Sequence, residues 1–400
     1  MNMADLPPED ALLVEACRLV LPPSGEERLA TLLRSPLDWP LLRREAALFR
    51  AEPLLYHQLS RPSLRDLVPA DALEAFKKAY ERTSMKNLQI YGVLRRVLNA
   101  LEAAGVQVIL LKGSFLAKWV YEDIGLRPMG DIDLLCRKQD EAALWRILEE
   151  QGATGRDEPM ESEKLKVVEH VGHGPPRYFG NIARLEVHFH LLSRKCSDPA
   201  RLEAILWSEA LVHDWDGLPV RSLGWEHQVI HLASHLHLHA KVSGIFLYWF
   251  SDLIEVLRNH GGTLNWQWLG DLARELHLDR DCREVFELLC ENWNGGGPQI
   301  PGQSLTPRQV LALTRDFRQS GVPYLLTYWK ILLAGRFAGG PWARLLYGVR
   351  LVFPPWKRMV FRHPGSSRLF LASCYLLDPL VRVGRILKAL SHYVQPRFRH

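Results

Sequence analysis

Paired cysteines, a signal sequence and membrane-length hydrophobic runs are all missing from this 400-residue chain. Its six cysteines include no C-x-x-C pair, which excludes a zinc ribbon or a thioredoxin-type motif and favours reduced thiols. The N-terminus, MNMADLPPEDALL, is acidic and has no apolar signal-peptide core. The apolar stretch 369–381 is interrupted by Asp378 and Pro379 and is too short to cross a bilayer. We therefore expect a soluble, cytoplasmic protein without a transmembrane segment.

A positive net charge is also missing from most of the chain, because the excess of basic residues lies entirely at the C-terminus. Residues 331–400 contain twelve Arg or Lys residues and one acid, a net charge of +11, whereas the rest of the chain carries −6. Such a segment attracts anions such as RNA or an anionic lipid surface, and it can equally be the solvated face of a helical subdomain. Binding of an anionic partner and a plain solvated surface are therefore both open interpretations of this region. Its apolar residues are also compatible with binding of a partner protein.

The composition, 47% hydrophobic and 24% charged, is that of a globular protein. Hydrophobic spacing and charge divide the chain into four regions. Three- and four-residue spacing predicts a helical N-terminal region over 1–104 and a helical pattern from Leu218 onward. Between them, the runs VQVILL, DIDLLCR and ARLEVHFHLL predict strands, and the segments that separate them predict helices and a hairpin strand. The predicted fold class is α+β, a small mixed and twisted sheet embedded between N-terminal and C-terminal helical regions. The predicted regions are 1–104, 105–215, 216–330 and the basic segment 331–400.

A glycine turn follows the first predicted strand. In LLKGS, Gly113 and Ser114 stand where a strand turns into a helix, so their backbone amides are unpaired and point outward. Glycine lets a phosphate approach the chain closely, and Lys112 adds a mobile positive charge. The turn is therefore a candidate binding site for the phosphates of a nucleotide, although Lys-Gly-Ser alone is a weak signal.

Two aspartates on the next strand strengthen that signal. In RPMGDIDLL, strand alternation points Asp131 and Asp133 to one face while Ile132 points to the core. Carboxylate oxygens are the ligands that Mg²⁺ prefers, and two metals bound there can stabilise both oxygens of an in-line displacement. A third acid is needed, and Glu186 of LEVHFHL supplies one on the same face as His188 and His190. An isolated Glu on a strand is more often a solvated edge residue.

These motifs resemble a known family. Lys-Gly-Ser, followed by GLRPMGDIDLL and LEVHFHL, is similar to the uncharacterised nucleotidyltransferase family of the DNA polymerase β superfamily, which shows an lKG turn, an lRpmgDiDlLv strand and an lElHw strand. The segments LASHLHLH, YWFSDLIEVL and LNWQWLGDLARELHL resemble helices of that family. The likeness runs from about residue 50 to about residue 360 and is most specific between Leu110 and His190.

The resemblance implies a polymerase β-type nucleotidyltransferase fold, with region 105–215 as its catalytic core. It implies Asp131 and Asp133 as ligands of Mg²⁺ or Mn²⁺, Glu186 as the third carboxylate, and Gly113 with Ser114 as the binding site for the phosphates of a nucleoside triphosphate. The expected reaction is attack of an acceptor hydroxyl on the α-phosphate. The acceptor, whether small molecule, peptide or RNA, is open, as is the identity of the nucleotide.

Other charged and polar residues have two interpretations each. Arg127 can reach the triphosphate bidentately, or it can pair with Asp131 or Glu122. Asp252 lies in an apolar helix and should have a partner, such as a histidine or Arg258.

A histidine stripe follows the predicted sheet. Its residues at i, i+4 spacing can share a metal, line the active-site cleft through His235 or His239, or form a structural face. The stripe comprises His227, His231, His235, His237 and His239.

Two alternative functions remain beside the nucleotidyltransferase prediction. A toxin-like enzyme acting on tRNA would use the basic region 331–400 for phosphate contacts, and its RNA affinity would weaken steeply with salt. A catalytically inactive chain would only bind a nucleotide or a partner, since fold does not determine activity.

Overall fold

The computed structural model describes residues 6–155, 174–191, 198–242 and 246–293. Two units divide the chain, one formed by 1–155, 172–238 and 245–309 and the other by 156–171, 239–244 and 310–400. The description below concerns the first unit. The predicted basic region 331–400 and the glycine-rich break at 295–298 lie outside the described residues.

Five α-helices precede the sheet in the described residues, within the region where the spacing predicts helix. They are α1 (Pro8–Ala16), α2 (Gly25–Arg34), α3 (Trp39–Leu48), α4 (Glu52–Leu59) and α5 (Ala70–Ala103). The side chain of Asp38 caps α3 by accepting a hydrogen bond from the backbone N–H of Leu41 at 2.9 Å. The 34-residue α5 ends just before Gly105, whose φ of +70° suits glycine.

The sheet has six strands in the order β3-β4-β2-β1-β6-β5. Its strands are β1 (Val108–Leu111), β2 (Ile132–Cys136), β3 (Arg177–Phe179), β4 (Ala183–His188), β5 (Leu211–Trp215) and β6 (Leu218–Ser222). The central strand β1 is antiparallel to β2 and parallel to β6, whereas β2 is parallel to β4. The predicted mixed α+β fold is confirmed, with strands found in all three predicted runs.

A hairpin formed by β5 and β6 was not predicted. Its turn is Asp216-Gly217, and both residues have positive φ, +49° and +84°, as a two-residue type I′ turn requires. The prediction that helical pattern begins at Leu218 is therefore wrong, because 218–222 is a strand paired with β1. The Asp-Gly dipeptide between two apolar runs is the signal that identifies this hairpin.

Seven further α-helices of the described residues lie between the strands and after the last strand. They are α6 (Gly113–Trp119), α7 (Glu141–Glu150), α8 (Pro199–Ser208), α9 (Trp225–Val242), α10 (Tyr248–His260), α11 (Trp266–Glu275) and α12 (Asp279–Trp293). Apolar side chains from β1, β2, α8 and the segment after β6 form one buried cluster that includes Ile109, Leu135, Leu206 and Leu223. Among the described residues, no helix combines the length and the apolar character needed to cross a membrane.

Candidate active site

The candidate site lies at one end of the sheet, where β1 ends and β2 begins. Antiparallel pairing sets Leu111 opposite Asp133, and parallel pairing sets Asp133 beside Glu186 and Leu135 beside His188. Because side chains alternate along a strand and neighbouring strands lie about 4.8 Å apart, the three polar side chains share one face of the sheet. The strand register therefore brings together residues that are more than fifty positions apart in sequence.

Asp133 is the most buried member of the group, with 3% of its surface exposed. Its Oδ1 accepts hydrogen bonds from Lys112 Nζ at 3.1 Å and from His188 Nε2 at 2.9 Å. Burial by itself would raise the pKa of Asp133, but the charge of Lys112 and the hydrogen bond from His188 outweigh it and hold that pKa well below its usual range. The surroundings of Asp133 therefore favour its ionised form.

Three ligand atoms, one each from Asp133, Glu186 and His188, lie within 4.8 Å of one another, and this is the candidate metal cluster of the described residues. Glu186 also forms an ion pair with Arg184, its neighbour on the same face of β4. Two carboxylates and one imidazole fit a divalent cation, since carboxylates suit Mg²⁺ or Mn²⁺ and imidazole suits transition metals. His188 was absent from the predicted ligands, although the alternation of LEVHFHL had placed it on the face of Glu186.

Asp131 lies immediately before β2, at the edge of this cluster, and is half-buried. Burial and the charge of Asp133 both raise the pKa of Asp131. The two aspartates are thus electrostatically coupled, as their spacing predicts. The role of Asp131 as a metal ligand stays a prediction.

The Lys-Gly-Ser turn connects β1 to α6. Lys112 has a φ of +48°, a conformation that L-residues rarely adopt, and this turn directs its ammonium group to Asp133. The Ser114 hydroxyl is fully buried; it donates to the carbonyl oxygen of Leu111 at 2.6 Å and lies 3.0 Å from that of Asp133. Ser114 therefore ties the end of β1 to β2, and its predicted contact with phosphates stays a prediction.

Arg127 is buried and paired with Asp252 of α10. Its Nε and Nη2 donate to the two carboxylate oxygens at 3.0 and 2.7 Å, and its guanidinium lies 4.8 Å from the centre of the Tyr248 ring. The partner predicted for Asp252, a histidine or Arg258, is wrong, because Arg258 pairs with Glu255 instead.

The same guanidinium covers the glycine of the turn. A Cβ at Gly113 would collide with Arg127, which explains why this position has no side chain. Arg127 thus packs against the turn that carries Lys112, and its predicted contact with phosphates stays a prediction.

The histidine stripe of α9 faces several different surroundings. His231 is 7% exposed, its Nε2 has no hydrogen-bond partner among the described residues, and burial, with the charges of Lys112 and His188, lowers its pKa to about 3. His237 contacts Asp281 and Glu284 of α12 at 3.1 and 2.8 Å. His235 packs edge-on against Trp249. The stripe therefore combines a neutral histidine close to the acidic cluster with structural contacts.

The chain is similar to known proteins in two comparisons. The family described as "Uncharacterised nucleotidyltransferase" matches residues 35–294, which include the whole sheet and every predicted site residue. Among solved structures, the solution structure of the antibiotic-resistance factor ANT(2'')-Ia is similar at 15% sequence identity, with a TM-score of 0.30, covering 50% of this chain and 93% of that chain. A likeness of that degree supports no detailed comparison. No curated protein matches the chain.

Proposed function

The chain belongs to the uncharacterised nucleotidyltransferase family and is a transferase, and on that premise we propose that it moves a nucleoside monophosphate from a nucleoside triphosphate to an acceptor hydroxyl. One observation carries the proposal: ligand atoms of Asp133, Glu186 and His188 lie within 4.8 Å of one another, beside the ammonium group of Lys112. A carboxylate cluster next to a lysine is suited to a phosphate substrate accompanied by a divalent cation.

Asp133, Glu186 and His188, with Asp131 beside them, are the residues that would hold the cation. Mg²⁺ or Mn²⁺ bound there supplies charge neutralisation for the oxygens of the reacting phosphate. His188 favours Mn²⁺ more than an all-carboxylate site would, because imidazole is a common ligand of transition metals.

The phosphates would lie at the turn after β1. Lys112, Gly113 and Ser114 form this turn, and Arg127 adds a positive charge behind it while keeping Gly113 in place. In the proposed step, the acceptor oxygen forms a bond to the α-phosphorus, the bond from that phosphorus to the β-bridging oxygen breaks, and pyrophosphate leaves. Glu186 would accept the hydroxyl proton. Positioning and charge stabilisation account for most of such catalysis, so few side chains are required.

The test is transfer of label from each α-³²P nucleoside triphosphate in the presence of Mg²⁺ or Mn²⁺ and cell extract. Asp133→Asn should lower the rate by roughly 100-fold or more, because it removes the charge of the most buried ligand. Asp216→Asn is the matched control, since Asp216 lies in the exposed turn between β5 and β6 and Asn tolerates its positive φ. Equal transfer by wild type and Asp133→Asn would refute the proposal.

The location of the label separates the alternatives. Label on RNA would favour the tRNA-modifying function, and label on small molecules would exclude it. Tight metal-dependent nucleotide binding without any transfer would favour the inactive binding module.

A further inference from the structure

A second concave site lies away from the acidic cluster, near the start of β5. It is a cavity of about 550 Å³ formed by the end of α8, the start of α9 and the start of α11. Its volume falls within the range of pockets that bind small molecules. The described structure gives this cavity no part in the predicted site.

Two carboxylates line the cavity, and no lysine or arginine lines it beside them. Glu209 and Glu226 both contribute to its wall, and none of its nine lining residues is Lys or Arg. One oxygen of Glu226 accepts a hydrogen bond from the backbone N–H of Asn265 at 2.9 Å, whereas Glu209 is exposed at the rim. Burial and the charge of Glu226 both raise the pKa of Glu209, so the two acids are close enough to repel each other. The cavity therefore favours a positively charged occupant.

Two tryptophans complete the wall. Trp225 stacks on His260 at a ring distance of 3.6 Å, which fixes the orientation of its indole, and Trp268 lines the cavity from the first turns of α11. Indole faces attract cations, and they also cover apolar groups. The combination of carboxylates with indoles suits a cation that is carried on an apolar or ring-shaped body.

A buried histidine without a hydrogen-bond partner stands directly behind this wall. His227 has no exposed surface, and neither ring nitrogen has a hydrogen-bond partner among the described residues. Its Nδ1 lies 3.4 Å from Glu209 Oε2, and its ring contacts Trp268 edge-on at 5.2 Å. Unsatisfied buried polar groups are rare in folded proteins and usually indicate a water, an ion or a ligand nearby. The imidazole of His227 therefore adds a buried polar group behind the carboxylate of Glu209.

The cavity lies at the same end of the sheet as the acidic cluster. Leu211 pairs with Ser222, Ser222 with Leu110, and Leu110 with Leu134, next to Asp133. Three strand spacings of about 4.8 Å separate the backbone of Leu211 from that of Leu134 by about 14 Å. An acceptor that reaches both sites would have to be elongated on about this scale.

We propose that this cavity binds the cationic group of the acceptor, a protonated amine or guanidinium on an apolar body, with its N–H donors on Glu209 and Glu226 and its body against Trp225 and Trp268. The inference rests on the proposed function in one respect, because only a transferase has an acceptor. An ammonium group has three donors and can bridge both carboxylates.

Binding is tested with the full chain by ¹⁹F NMR, comparing 4-fluorophenethylamine with its neutral isostere 4-fluorophenethyl alcohol. The amine should bind wild type roughly tenfold more tightly than the alcohol does, and the Glu209→Gln/Glu226→Gln double variant should lose that preference. Glu150→Gln is the matched control, because Glu150 is an exposed glutamate on α7. Equal binding of amine and alcohol to wild type, or binding of the amine to the double variant as tightly as to wild type, would overturn the proposal.

The link to the acceptor is tested by passing the extract through a cation-exchange resin before the transfer assay. Label should be transferred with the retained fraction and not with the flow-through. Transfer with the flow-through alone would show an uncharged or anionic acceptor, such as RNA, and would overturn the proposal while leaving the nucleotidyltransferase function intact. Absence of transfer even with unfractionated extract would count against the proposed function, and the ¹⁹F measurement would then decide the cavity by itself.

Discussion

Breaking the buried pair of Arg127 and Asp252 should destabilise this protein more than any exposed ion pair can. Asp252→Leu removes two hydrogen bonds of 3.0 and 2.7 Å and leaves the guanidinium without its counterion. The side chains are only 5% and 1% exposed, so water cannot replace the lost partner. Removing one member of a buried pair typically costs about 3–5 kcal/mol, and we expect that loss for Asp252→Leu.

The double variant Arg127→Met/Asp252→Leu separates the value of the pair from the cost of a stranded charge. An apolar replacement of both members leaves no unpaired ion, so its loss of stability should be at least about 2 kcal/mol smaller than the sum of the two single losses. Urea unfolding of all three variants measures these free energies. The control is Glu150→Gln, which breaks the exposed pair with Arg146 and should cost less than about 1 kcal/mol.

Two results would refute this reasoning. One is a loss below about 1 kcal/mol for Asp252→Leu, which would mean that the pair is solvated like a surface pair. The other is strict additivity of the two single variants, which would mean that they do not interact. Because Arg127 also covers Gly113, we further expect the single variants to weaken nucleotide binding.

Two other predictions follow from the packing. Gly113→Ala should lower the free energy of unfolding by about 1–3 kcal/mol, because the new methyl group collides with the guanidinium of Arg127. Gly92 is an exposed helical glycine with open space around it, so Gly92→Ala should instead raise the free energy of unfolding by about 0.5–1 kcal/mol. Both values are measured by urea titration. Burial lowers the pKa of His227 to about 4. As the pH falls below about 6.5, this histidine is therefore protonated in the unfolded chain but stays neutral in the folded chain. Between pH 6.5 and 4, the free energy of unfolding of His227→Gln should therefore fall by about 1.4 kcal/mol less per pH unit than that of wild type. Equal pH slopes for the two proteins would contradict this account.

Four of the six strands and most of the polar face of the sheet could be predicted from sequence, because they depend on local patterns. A β-branched run bounded by glycine identifies β1, and alternation places Asp133 and Glu186 on a polar face. Lys112 follows β1 directly, so its position beside β2 also follows from strand pairing. These features follow from the two-residue alternation of strand side chains and from the pairing of neighbouring strands.

The partners of residues far apart in sequence could not be predicted. An apolar neighbourhood in the sequence indicates that a charged side chain is buried, but it does not indicate which distant side chain pairs with it. Asp252 was expected to be buried and paired, but its partner Arg127 lies 125 positions away in a segment of no regular structure. His188 was not predicted as a metal ligand, because the alternation of side chains along a strand shows which face a residue occupies but not how far it lies from Asp133. The β5–β6 hairpin was missed because His213, Asp214 and Pro219 interrupt the apolar pattern of its strands, although Asp216-Gly217 marks its turn.

The strand order also bears on when the candidate metal cluster can form during folding. Asp133 and Glu186 become neighbours only through the parallel pairing of β2 with β4, whose connection includes α7 and the antiparallel strand β3. Parallel pairing across such a long connection closes late, because loop entropy must be overcome before any contact is gained. No single hairpin or helix of the chain therefore carries the cluster, and affinity for a divalent cation should appear only when the central sheet is complete. Metal binding in a refolding experiment would consequently report the final step of assembly.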